Sequence, residues 1–153
     1  MTITVADLLR RKKIDHPICI DQSATVLEAL KLLAKENIGC LVVAGPNYSL
    51  QGMFSERDNA RKIELVDRHA DSTIVSEVMT LASETFKVGL GDSLEHCLET
   101  MRDKNIRHLP VVTNTGEAET VIALISIRDV VVTLYEEHKA TAEELQHYVT
   151  ANR

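Results

Sequence analysis

Two stretches decide the fold: FSERD at Phe54–Asp58 and ISIRD at Ile125–Asp129. Each places an apolar residue, a serine, two spacers and an aspartate in the same order. Ser55 and Ser126 are 71 residues apart, as are Asp58 and Asp129. Working outward, the apolar pattern repeats as well. At an offset of 68, Ile20 falls on Val88, Val26 on Leu94, Ala29 on Cys97, Leu30 on Leu98 and Leu33 on Met101. Asn37-Ile38 then falls on Asn105-Ile106, and Leu41 on Leu109. At an offset of 70, ADLL (Ala6–Leu9) falls on SEVM (Ser76–Met79). Offsets that change only in the connecting loops are what an internal duplication leaves behind.

Each copy reads as strand, helix, strand, strand, helix, an α/β chain of two β-α-β-β-α units. PICI and FKVGL predict the first strands. The first helix of copy one opens on a Thr25/Glu28 capping pattern, and that of copy two on Asp92/Glu95. Apolar residues at 26, 29, 30 and 33, and at 94, 97, 98 and 101, share one helical face. IGCLVVAG and IRHLPVVTN predict the next strands. Turns at Gly45-Pro46-Asn47 and Asn114-Thr115-Gly116 lead into LQGMFS and VIALIS. A second helix starts at each serine. The expected division is copy one over 5–70, copy two over 71–135 and a helical tail over 136–153. One such unit cannot bury both its helix face and its sheet face, so the two copies should pack together about a pseudo-twofold axis.

The serine and aspartate then stand where a strand ends and a helix starts. Exposed N–H groups there favour an anion. A carboxylate three residues on can accept from the adjacent hydroxyls of a ribose. The same S-x-x-D is also an ordinary helix cap, and duplication copies caps as readily as sites.

The totals narrow the classes. A chain of 153 residues with 44% hydrophobic and 26% charged residues is a folded domain. Only 3% aromatics and a net charge of −6 argue against nucleic acid as a partner. Cys19, Cys40 and Cys97 form no C-x-x-C pair, which predicts a reduced, cytoplasmic chain. No apolar run approaches a membrane span, and MTITVADLLRRKK has its charges on the wrong side for a secretory signal. The histidines at 16, 69, 96, 108, 138 and 147 show no metal spacing. No G-x-S-x-G elbow or phosphate-binding G-x-x-x-x-G-K occurs, and no catalytic or metal residues are expected. RRKK (Arg10–Lys13) reads as a solvated face. The tail, with Thr141/Glu144 as a cap and Leu145, Tyr148 and Val149 apolar, reads as an amphipathic helix.

GMFSERD (Gly52–Asp58), ALISIRD (Ala123–Asp129), IRHLPVV (Ile106–Val112) and VMT (Val78–Thr80) together resemble a tandem cystathionine β-synthase (CBS) domain pair, or Bateman module. SERDNARK is similar to the T-E-R-D-x-x-R-K run of stand-alone bacterial members. Two departures stand out: Ala123 where the family often has glycine, and Gly39-Cys40-Leu41-Val42 where copy two has HLP. The resemblance implies an adenine-containing ligand in a cleft between the copies. Ser55, Asp58, Ser126 and Asp129 would hold ribose. Arg107 and His108, with Arg57, Arg61 and Arg128, would approach phosphate. Ile18, Ile38, Met79, Thr80 and Ile106 would flank adenine. It implies a regulatory homodimer acting on a protein partner, sensing AMP or ATP, with NAD(H) as the alternative ligand. A structural interaction module with vestigial sites is the rival reading. With Arg57 and Arg61 assigned to the first site and Arg107 and His108 to the second, the two sites should differ in affinity.

Overall fold

The computed structural model describes residues 2–115 and 118–151. The chain order is α1 (Val5–Lys12), β1 (Cys19–Ile20), α2 (Val26–Glu36), β2 (Cys40–Ala44), β3 (Leu50–Ser55) and α3 (Glu56–Asn59). A π-helical turn, Ala60–Glu64, follows α3. Then come β4 (Thr80–Leu81), α4 (Leu94–Lys104), β5 (His108–Thr115), β6 (Ala118–Ser126) and α5 (Ile127–Ala151).

The duplication is plain in the strands. β2 and β3 pair antiparallel with Cys40 opposite Ser55, and β5 and β6 pair antiparallel with His108 opposite Ser126. The Glu56 amide donates to the Gly39 carbonyl at 3.1 Å, and the Ile127 amide to the Arg107 carbonyl at 2.8 Å. β1 runs parallel to β2, whereas the predicted FKVGL strand shrinks to one parallel bridge, Val88 to Val111. α2 and α4 end alike, on Asn37 and Asn105 at φ of 53° and 54°, a left-handed cap that asparagine tolerates.

Two helix starts and one turn differ from the expected pattern. Ser93, not Asp92, caps α4: its hydroxyl accepts from the His96 amide at 3.0 Å. The Asp92 carboxylate instead accepts from the Gly89 amide at 2.8 Å. Thr141 starts no helix, because α5 runs through it and its hydroxyl donates back to the Glu137 carbonyl at 3.0 Å. The tail side chains of Leu145, Tyr148 and Val149, and Gly116 of the second turn, lie outside the described residues. Asn114 and Thr115, expected in that turn, belong to β5.

The leading segments change places. Val5 and Leu8 of α1 are buried with Val88, Leu94, Cys97 and Leu109, in the core of the second half. Val75 and Val78, their counterparts, are buried with Val26, Ala29, Leu41 and Phe54, in the core of the first. Matching backbone bonds hold the exchange: Val5 amide to Asp92 carbonyl at 2.9 Å, and Val75 amide to Ala24 carbonyl at 2.8 Å. A third cluster of Cys40, Val42, Leu50, Met53 and Val121 joins the two sheets.

Candidate functional site: a cleft between the halves

A cleft of about 550 Å³ opens where α3 begins, within the usual size of small-molecule sites. Its first wall is the SERD segment. The Asp58 carboxylate is buried, with Oδ2 accepting from the Ser55 amide at 2.9 Å and the Ser55 hydroxyl at 3.1 Å. The Asp58 amide donates back to the Ser55 hydroxyl at 3.2 Å. Oδ1 is ion-paired with Lys62 Nζ at 3.1 Å. The ordinary cap is therefore present, and Oδ1 faces a lysine inside a cleft.

The second wall comes from the other half: Ile106, Arg107 and His108, entering β5. The third is the segment carrying Thr80, Glu84, Thr85 and Phe86. Gly52 lets that segment approach, since a Cβ there would stand 2.3 Å from the Thr80 carbonyl. Cys40 and Met53 complete the lining. Burial, reinforced by the Asp58 charge, pushes the Cys40 thiol up to about 12, so it is packing and not a nucleophile. Burial also lowers the His108 pKa below its ordinary 6.5. The Arg107 charge adds to this, and the Asp129 and Glu56 carboxylates oppose it.

Of the predicted residues, Ser55, Arg57, Asp58, Arg61, Thr80, Ile106, Arg107 and His108 line this cleft. Ser126, Arg128, Asp129, Ile18, Ile38 and Met79 do not. Arg128 is exposed. Ile18, Ile38 and Met79 pack on the core of the first half. Asp129 completes the cap of α5: its carboxylate accepts from the Ser126 amide at 2.9 Å, and its amide donates to the Ser126 hydroxyl at 3.1 Å. Arg107 and His108, expected at the second motif, stand in the cleft of the first. Arg61 and Arg107 have no ion pair among the described residues, while the Arg57 guanidinium donates to the Asn105 carbonyl at 3.1 Å. Because α3 has only four residues, attraction for an anion rests on these cations rather than on a helix dipole.

Lys62, Glu84 and Phe86 escaped the sequence reading. Lys62 lies one turn after Asp58 in SERDNARK, the spacing of a helical ion pair. Phe86 is one of two phenylalanines, 43% exposed, with Lys104 Nζ over its ring at 5.1 Å.

The residues around the second motif differ. At the offset of 68, Arg107-His108 corresponds to Gly39-Cys40; at 71, Lys62 corresponds to buried Thr133 and Gly52 to Ala123. The residues equivalent to β4 fall inside helix α1. Among the described residues, no group of histidine, cysteine and acidic side chains could hold a metal ion, and no helix is long and apolar enough to cross a membrane.

Two exchanged β-α-β-β-α units meeting at such a cleft define a CBS pair. The CBS domain profile matches residues 5–58 and 75–136, and the chain belongs to that family. It is 34% identical over 127 residues to the mitochondrial CBS domain-containing protein CBSX3 of Arabidopsis thaliana, covering 82% of this chain and 60% of that one. Several longer plant relatives are spanned to only 20–21% of their length. A CBS-domain protein from Burkholderia ambifaria MC40-6 superimposes with a TM-score of 0.77 at 32% identity, over 86% of this chain and 93% of that one. PAE2072 of Pyrobaculum aerophilum, solved in complex with AMP, superimposes with a TM-score of 0.67 at 26% identity, over 83% and 89%.

Proposed function

We propose that the protein is a regulatory module that binds one adenine nucleotide per chain, AMP or ATP first and NAD(H) as the alternative, in the Ser55–Asp58 cleft. One observation carries the reading: Asp58 of one half and Arg107 and His108 of the other converge with Arg61 on a single cleft. Asp58 would take ribose hydroxyls and the arginines phosphate. The AMP complex of the relative PAE2072 supports the choice of adenine. Since the cleft joins the halves, a ligand that fits one packing better than another shifts the balance between them. In a homodimer that shift would alter the surface offered to a protein partner.

A second reading has its own support. Thr4 and Asp7 on α1 form the same cap as Ser55 and Asp58, outside the cleft. A pure interaction module could therefore keep its serine–aspartate motifs as caps alone. Calorimetric titration with AMP, ATP, NADH and S-adenosylmethionine separates the two. Saturable binding at one ligand per chain is expected, abolished by Asp58→Ala and retained by Asp129→Ala. No heat with any of the four selects the interaction module.

A further inference from the structure

We infer that Lys62 is a built-in competitor for the Asp58 carboxylate and makes the cleft selective for phosphorylated nucleotides over nucleosides. The inference rests on the nucleotide reading of the cleft. Oδ2 of Asp58 already accepts from two donors of Ser55, at 2.9 and 3.1 Å. A carboxylate oxygen offers about two lone-pair directions, so a ribose diol is left with Oδ1. The Lys62 ammonium stands there at 3.1 Å. Two hydroxyls seated on Oδ1 must displace it.

The displaced ammonium needs a new partner. Lys62 also donates to the Val78 carbonyl at 2.7 Å, so it ties the start of α3 to the segment that enters β4. A ligand without phosphate leaves the ammonium to the Val78 carbonyl and solvent, with no counter-charge. A phosphorylated ligand brings an anion into the cleft that Lys62 itself lines with Arg61 and Arg107, and a charge-assisted bond replaces the one lost. Lys62 thus penalises adenosine and spares ATP. The same exchange would slacken the hold on Val78, whose side chain is buried in the core of the first half. Occupancy is thereby felt in the segment exchanged between the halves. The second copy has no such device, because buried Thr133 stands in place of Lys62 and donates to the Asp129 carbonyl at 2.7 Å.

The test titrates adenosine and ATP into the full chain, wild type and Lys62→Met. The partly exposed pair sets the scale: adenosine should bind the variant about two- to fivefold more tightly, while the advantage of ATP over adenosine shrinks. Lys62→Gln serves as a second variant should the methionine disturb folding, with thermal unfolding checked for both. In the wild type, acetylation of Lys62 read by mass spectrometry should rise on saturation with adenosine. Adenosine affinity unchanged or weakened in folded variants overturns the competition, as does acetylation that stays flat or falls. If the wild type binds neither adenosine nor ATP, the nucleotide reading fails and the competition with it.

Discussion

The Asp7 carboxylate accepts from the Thr4 amide and hydroxyl at 2.9 and 3.1 Å, the same bonds at the same lengths as Asp58 accepts from Ser55. Capping geometry therefore cannot mark a site. What separates Asp58 is position: Lys62 beside it and the other half's cations opposite. His108 is the most informative of those opposite groups. Its pKa lies below 6.5 in the folded chain, chiefly through burial. Between that lowered value and 6.5 the unfolded chain binds more protons, so stability falls as pH drops through the window and is fully present above it. Chemical denaturation between pH 5 and 7 should show this slope in the wild type. His108→Gln should flatten it, and an unchanged slope would place the proton uptake elsewhere.

Helix ends were legible where one residue alone could cap. Thr25 with Glu28 forms the expected box around α2, with bonds of 3.1 and 3.2 Å. Asp92-Ser93 offers two capping residues in a row, and local spacing favoured the wrong one. The choice was made by a bond to Gly89, outside the helix. Ser93→Ala should cost about 1 kcal/mol, the usual worth of an N-cap, measured as a drop in urea midpoint at constant slope. The strand FKVGL had the right alternation but only Val88 finds a partner, since pairing depends on where β5 lies. The two helices after the motifs read alike, yet α3 lasts one turn before widening into a π turn at Ala60–Glu64, whereas α5 runs for 25 residues. Such π segments gather at functional sites, and this one carries Arg61 and Lys62 to the cleft. Which half supplies which wall was illegible for the same reason: it follows from packing across a sequence separation that no local pattern records.

At the scale of the whole molecule, the exchange of leading segments governs how the halves depend on each other. Leu8 lies near the amino end of the sequence yet is fully buried against the second half's sheet and helices. Val78 does the reverse. Neither half closes its own core, so unfolding one half exposes apolar surface of the other, and the two should unfold together. Leu8→Ala tests this directly. Removing a fully buried leucine side chain costs about 2–5 kcal/mol, far more than a truncation in a docked-on terminal helix with no core role. Urea unfolding should shift to a lower midpoint as a single transition, with helix signal and the exposure of Cys97, a second-half core thiol, changing in step. A variant in which Cys97 becomes reactive while the first half stays folded would mean that the halves are independent. A ligand in the seam would then have no route to the rest of the chain.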